Sequence, residues 1–129
     1  MTEMPPPVRA WHALVESGDP AGLADLLADE IVFRSPAVHK PQAGRELAGA
    51  YLRAALAVLG PSLRYRREWY APDSAVLEFE AELDGLAVHG VDLLQWNAEG
   101  RLVDFTVMVR PLRGLQQLIT RMAEQLPAG

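Results

Sequence analysis

The sequence contains no cysteine and no surplus of basic residues among its 129 residues. Without cysteine the chain can form no disulfide, no thiol nucleophile and no thiolate metal site. Its formal net charge is −5, whereas a protein that binds nucleic acid usually carries a basic face. We therefore expect no nucleic-acid partner.

Long apolar runs are also missing, and none approaches the roughly 20 residues of a membrane span. The N-terminus, MTEMPPPV, is polar and proline-rich, so it does not resemble a signal peptide. These features predict a cytoplasmic protein without membrane contact. Half of the residues are hydrophobic, which excludes overall disorder and is enough for one domain with its own core.

Apolar residues at helical spacing dominate the first half of the chain. Residues 1–7 are expected to form a flexible tail, because consecutive prolines cannot enter a helix interior, and residues 8–126 are expected to form a single domain. The pattern predicts helices over 8–16, 20–28 and 45–59, with a brief strand over 31–34 and a loop over 35–44. The predicted buried face of the third helix consists of Leu47, Tyr51, Leu52, Ala55, Leu56 and Leu59.

The second half predicts strands over 64–71, 75–83, 86–96 and 101–110, followed by a helix over 112–126. Asp84-Gly85 lies between two alternating strands and is a strong hairpin signal. Helices followed by a meander of antiparallel strands indicate an α+β domain with helices on one side of a curved sheet.

Asp92 is the most unusual residue, because it interrupts an apolar strand. Its neighbours on the same strand face are apolar or glycine: Val88, Gly90, Leu94 and Trp96. A buried carboxylate costs several kcal/mol (order of magnitude) unless it is paired or neutralised. Asp92 is therefore either an ionisable group in a pocket or a structural carboxylate paired with arginine or backbone donors. His89, three residues away, is expected to point to the other face of the sheet. The glutamates at 78, 80 and 82 are expected on that same face, where the arginines at 64, 66 and 67 would be their cross-strand partners.

Several strings occur in the order and spacing of a known superfamily. They are Glu16-Ser17-Gly18-Asp19, Ala28-Asp29-Glu30, Ser35-Pro36 with Pro41 and Gly44, Asp92 with Trp96-Asn97, and Gly100-Arg101-Leu102-Val103. In these features the chain resembles the NTF2-like superfamily, in its SnoaL-like and ketosteroid-isomerase branch. The resemblance implies a cystatin-like cone, in which a curved antiparallel sheet carries three N-terminal helices on its concave face, plus a C-terminal helix.

The resemblance also implies roles for three positions. Asp92 lies where the isomerases keep a protonated carboxylic acid that donates to the substrate oxyanion. Ser35 lies where they keep the aspartate that moves the proton, and Trp11 lies where they keep a tyrosine. Serine cannot abstract a proton from carbon without its own base, so a standard ketosteroid isomerase is not expected.

The candidate catalytic residues are Asp92, as acid or hydrogen-bond donor, and His39, at the rim of the pocket, as base. The residues expected to line the cavity are Trp11, Phe33, Ser35, Tyr51, Trp96 and Phe105. No cofactor and no metal are expected, since His39, His89 and Asp92 cannot converge and no helix carries a histidine pair at metal-binding spacing.

Two functions remain open. One is a pocket for a small apolar or aromatic molecule, with proton-transfer chemistry of the isomerase, cyclase or hydratase type. The other is a non-catalytic binding or dimerisation module whose cavity is filled by its own side chains. A cavity of roughly 300 Å³ or more would indicate a ligand site. A homodimer is expected in either case, because apolar residues also lie on the outer face of the sheet.

Overall fold

The computed structural model describes residues 3–126. Its elements are α1 (Pro6–Ser17), α2 (Leu23–Leu26), β1 (Leu27–Arg34), β2 (Gln42–Ala43), α3 (Arg45–Leu59), β3 (Arg64–Ala71), β4 (Ser74–Leu83), β5 (Leu86–Trp96), β6 (Leu102–Arg110) and α4 (Leu112–Gln125). Single 3₁₀ turns at Pro20–Gly22 and Gly60–Ser62 precede α2 and follow α3. Within this part of the chain, no helix combines the length and apolar character that a membrane crossing requires.

The strands form one six-stranded sheet in the order β2-β1-β6-β5-β4-β3. The hairpin between β4 and β5 turns at Asp84 and Gly85, which both have positive φ, 51° and 83°. That conformation fits the right-handed twist of the strands. The pairing of β1 with β6 is parallel, whereas the other four are antiparallel. The predicted antiparallel meander of β3 to β6 is confirmed, and β1 joins it in parallel to β6, which makes the sheet mixed.

The inner face of the sheet meets the helices and forms the core. On β5 the side chains of Val88, Asp92, Leu94 and Trp96 are all buried on this face, as the alternation predicts. The α3 helix packs on β1, and α4 packs on β5 and β6. Asp92 therefore lies in the core, between the inner face of the sheet and the helices.

Several boundaries differ from the sequence prediction, and two of the differences have a clear physical cause. The first helix begins at Pro6, because proline fits a first helical turn, whose N–H groups have no partner in any case. Pro6 and Pro7 thus belong to the helix and not to the expected tail, of which Met1 and Thr2 lie outside the described residues. The predicted second helix ends at Leu26, because Leu27 already pairs with Leu102 of β6.

The α3 helix has the predicted bounds, and Leu52 and Leu59 are buried as predicted, but its inward face is shifted. Leu47 is 45% exposed, whereas Ala48 and Gly49 are buried. A Cβ added at Gly49 would lie 3.8 Å from the Leu27 side chain, so the helix approaches β1 closely. Small residues permit this approach, and a prediction based on side-chain hydrophobicity misses them.

Candidate functional site

Asp92 stands at the end of a chain of three hydrogen-bonded side chains. It is 5% exposed and lies in register between Leu77 of β4 and Val107 of β6. The Tyr65 hydroxyl on β3 donates to Asp92 Oδ2 at 2.5 Å. Trp11 Nε1 on α1 donates to the Tyr65 oxygen at 2.7 Å. Helix α1 is thereby connected to the central strand through the edge strand.

The surroundings of Asp92 change its proton affinity. Burial raises the pKa of Asp92 to about 7, and the hydrogen bond from Tyr65 opposes that rise. Burial, followed by the charge of Asp92, raises the pKa of Tyr65 well above its ordinary value. Tyr65 thus remains a phenol that donates. Asp92 is the group that exchanges a proton near neutral pH, which suits a general acid or base.

A cavity of about 20 Å³ lies beside Asp92, which is room for about one water molecule. Its walls are hydrocarbon except at Trp11, Tyr65 and Asp92. The other lining residues are Leu52, Ala55, Leu56, Leu59, Gly60, Leu63, Phe79, Phe105 and Val107. Leu56 and Leu63 are half-buried, so this wall, between α3 and β3, separates the cavity from solvent.

The predicted cavity residues fall into different environments. Trp11 and Phe105 line the Asp92 cavity, and their rings meet edge to face at 4.7 Å between centroids. Phe33 is buried behind Phe105, with ring centroids 6.0 Å apart. Tyr51 packs against Phe33 on its far side and lines a separate surface groove with Arg45.

Ser35, His39 and Trp96 are also away from the Asp92 cavity. Ser35 Oγ accepts a hydrogen bond from the backbone of Ala37, within the loop after β1. His39 is exposed on the same loop. Trp96 is buried at the end of β5 and borders a surface groove beside Pro7. In this conformation the structure brings Asp92, Trp11 and Phe105 together, but not the other predicted residues.

Tyr65 is the site residue that the sequence analysis missed. It lies in the string RYRREWY, where no clean alternation shows which side chains face inward. The register of β3 against β4 shifts between Tyr65 and Glu68, so no single period describes the strand. The register that sets Tyr65 opposite Phe79, on the clearly alternating inner face of β4, is visible only in the structure.

The outer face of the sheet carries a separate group of charges. Glu78 receives two hydrogen bonds from Arg67, at 2.6 and 3.0 Å, and lies 2.8 Å from His89 Nε2. These two partners, Arg67 foremost, lower the pKa of Glu78 to about 2. His89 therefore faces away from Asp92, as its spacing predicts. Among residues 3–126, no three histidine, aspartate or glutamate side chains converge as metal ligands would.

Comparisons with known proteins place this geometry in context. A sequence model described as a SnoaL-like domain matches residues 8–105, while no curated protein matches the chain. A solved steroid delta-isomerase from Pseudomonas aeruginosa is 38% identical, with TM-score 0.87, over 92% of this chain and 88% of that one. An uncharacterised protein with a cystatin-like fold from Silicibacter pomeroyi is 30% identical, with TM-score 0.87, over 95% and 86%.

A more distant structure shows the fold alone. It is a Mycobacterium tuberculosis protein solved in complex with estradiol-17β-hemisuccinate, which is 20% identical to the chain, with TM-score 0.64, over 83% of this chain and 92% of that one. Together these likenesses confirm the predicted fold class, a helix-covered, curved sheet of the NTF2-like and cystatin-like type.

Proposed function

Since the chain belongs to the SnoaL-like domain family, we propose that it is a small-molecule pocket protein in which Asp92 exchanges a proton with the ligand. The observation that carries this proposal is a buried carboxyl, with a pKa of about 7, that has a tyrosine and no basic residue as its side-chain partner within residues 3–126. A purely structural carboxylate would gain more from an arginine, which would keep it charged.

The chemistry of the cavity lining limits the ligand. The walls are hydrocarbon, and the polar atoms belong to Asp92, Tyr65 and Trp11. The Tyr65 proton is directed at Asp92, so Asp92 is the group available to a ligand oxygen. We infer a largely apolar molecule with one carbonyl or hydroxyl oxygen. The name of the similar Pseudomonas aeruginosa structure, a steroid delta-isomerase, supports this ligand class.

With Asp92 as the hydrogen-bond donor to the ligand oxygen, proton transfer at carbon would need a second group as base. Within residues 3–126 no base is hydrogen-bonded to Ser35, whose Oγ accepts a hydrogen bond from the Ala37 backbone. His39 stays a prediction for this role, since it lies on the exposed loop outside the cavity lining. We therefore expect isomerase, cyclase or hydratase chemistry only on a ligand that is activated by hydrogen bonding to Asp92, and no efficient steroid isomerisation.

Binding of estradiol tests the proposal, because its phenol presents one oxygen on an apolar body. We expect wild-type protein to bind estradiol and Asp92→Asn to bind it about tenfold more weakly, since hydrogen bonds to an ionisable carboxyl are stronger than those to a neutral amide. Isothermal titration calorimetry measures both. Asp104→Asn is the matched control, because Asp104 lies away from the cavity and forms an ion pair with Arg34 at 3.0 Å.

Equal affinities of wild type and Asp92→Asn would contradict the proposal. So would a wild-type protein that neither binds estradiol nor retains a small molecule in native mass spectrometry after purification.

The small cavity favours a second candidate, a non-catalytic binding or dimerisation module. A volume of about 20 Å³ is far below the roughly 300 Å³ of an open ligand pocket. A ligand would have to displace Leu56 and Leu63 from the wall between α3 and β3. In such a module, Trp11 and Tyr65 would be packing residues. Binding of estradiol would support the pocket protein, and the absence of binding would support the module.

We also propose a homodimer through the outer face of the sheet. Trp69 and Met108 are 52% and 56% exposed there. A shallow groove of about 490 Å³ runs beside Trp69, over Val76 and Leu93. Large exposed side chains on a broad, partly apolar sheet face are typical of protein contacts.

A further inference from the structure

Three side chains that the proposed function does not use form a polar cluster between α1 and β3. His12 Nε2 lies 2.7 Å from Glu68 Oε2, although the contact lacks the direction of a hydrogen bond. The Tyr70 hydroxyl donates to Glu68 Oε1 at 2.6 Å. The His12 and Glu68 side chains are only 17% and 14% exposed. We call His12, Glu68 and Tyr70 the Glu68 cluster.

The irregularity in β3 is what places Glu68 in this cluster. Tyr65 and Glu68 are three residues apart, so in a regular strand they would point to opposite faces. The register shifts between them, and as a result Tyr65, Glu68 and Tyr70 all lie on the half-buried side while Trp69 faces outward. A bulge often re-aims a side chain in this way.

The cluster is in contact with the site through Tyr65. The His12 ring meets the Tyr65 ring edge to face, with centroids 4.7 Å apart and planes at 88°. The preceding residue, Trp11, donates to the hydroxyl of the same tyrosine. Two consecutive residues of α1 thus hold the ring and the oxygen of Tyr65. Glu68 contacts one of them, His12, and Tyr70 donates a hydrogen bond to Glu68.

We propose that Glu68, His12 and Tyr70 are positioning residues that keep the Tyr65 hydroxyl aimed at Asp92. This inference rests on the proposed function only in taking Asp92 as the functional group. None of the three residues lines the cavity, and their contact with a lining residue is that of the His12 ring with Tyr65. Disruption of the cluster loosens the Tyr65 hydrogen bond, and that bond is what lowers the proton affinity of Asp92.

The direction of the change in the pKa of Asp92 separates positioning from simple electrostatics. Losing the Tyr65 hydrogen bond raises this pKa, whereas removing the negative charge of Glu68 lowers it. Tyr70→Phe removes only the hydroxyl that fixes Glu68 and leaves the charge in place. Glu68→Gln removes the charge and keeps the size. Tyr65→Phe removes the hydrogen bond completely, so it gives the upper limit of the rise in the Asp92 pKa.

The experiment is a carbon-13 NMR titration of Asp92 in the full chain without ligand, so its result does not depend on whether any ligand binds. We expect the pKa of Asp92 to rise by about one unit in Tyr65→Phe and by about half a unit in Tyr70→Phe and Glu68→Gln. The Trp11 indole N–H signal should move in the same variants. Glu80→Gln is the matched control, because Glu80 pairs with Arg66 on the outer face at 2.9 Å.

A fall or no change in the Asp92 pKa in both Tyr70→Phe and Glu68→Gln would overturn the proposal. If Glu68→Gln does not fold, Tyr70→Phe decides alone, because that change leaves every charge in place.

Discussion

At the scale of single residues, the burial that suits Asp92 to proton exchange also lowers the stability of the folded protein. The folded carboxyl has a pKa of about 7, whereas the unfolded one lies near 3.9, so the folded state binds the proton more tightly. Stability from this group is complete below about pH 4 and is lost as the pH rises through 7. The difference of about three units corresponds to about 4 kcal/mol. Tyr65 reduces this cost with a single hydrogen bond.

Asp92→Asn should therefore flatten the dependence of stability on pH. The amide has no charge to bury and still accepts a hydrogen bond from Tyr65, so we expect the variant to exceed wild type at pH 8 by about 2–4 kcal/mol. At pH 4 the two should be nearly equal. Urea unfolding at several pH values measures this, and two parallel curves would show that Asp92 keeps an ordinary pKa.

Asp92 could be found from the sequence because regular alternation on β5 fixes its face. Its partner could not be found, because the register shift in β3 breaks the same rule between Tyr65 and Glu68. The position of His39 outside the Asp92 cavity could not be predicted either, because the path of an irregular loop depends on tertiary contacts that a periodic sequence pattern does not report.

At the scale of elements, the middle of β5 depends on a glycine. A Cβ at Gly90 would overlap the Met108 carbonyl oxygen and lie 2.8 Å from Phe79 Cζ. The Phe79 ring packs over this position and also against Tyr65, with centroids 6.3 Å apart. Gly90 thus allows the aromatic wall of the Asp92 cavity to lie close to the strand.

Gly90→Ala should lower the free energy of unfolding by about 3 kcal/mol, because backbone and ring must both move to admit the methyl group. Gly60→Ala is the control. A Cβ there meets nothing within 4 Å, and its φ of −49° suits alanine, so we expect a change within about 0.5 kcal/mol. Thermal unfolding compares the two, and equal stability of both variants would contradict the packing described.

Regular elements were predictable and their tertiary adjustments were not. The strands β3 and β5 and the helix α3 have the predicted bounds, because their patterns are long or end at strong turn signals. The early start of β1 at Leu27 was missed, because its pairing with β6 overrides a helix-like local pattern. The rotation of α3 was missed because Ala48 and Gly49 contribute shape and little hydrophobicity.

At the scale of the whole molecule, the sheet presents different chemistry on its two faces. The inner face holds Asp92 beneath α1 and α3, while the outer face exposes Trp69, whose ring lies 5.3 Å from the Arg67 guanidinium carbon. Chains paired through the outer face would leave the wall between α3 and β3 free to open. The two proposed activities, assembly and ligand binding, therefore need not compete for surface.

Trp69→Glu should weaken the proposed dimer, because it places a charge within the apolar contact. At micromolar concentration we expect this variant to be mostly monomeric and the wild type to be dimeric, as measured by sedimentation velocity. Leu112→Lys is the control, since Leu112 is 67% exposed on α4 and lies outside the groove. A wild-type monomer, or a Trp69→Glu dimer as stable as that of wild type, would contradict the proposed interface.

The titration of Asp92 in the wild-type protein tests the central claim most directly. Carbon-13 labelling of aspartate, with Asp92→Asn to assign the signal, reports the protonation of this one carboxyl between pH 4 and 9. The account predicts a midpoint of about 7. A midpoint near 4 would show that the carboxylate is solvated or paired in solution, and Asp92 would then be a structural residue without a part in proton transfer.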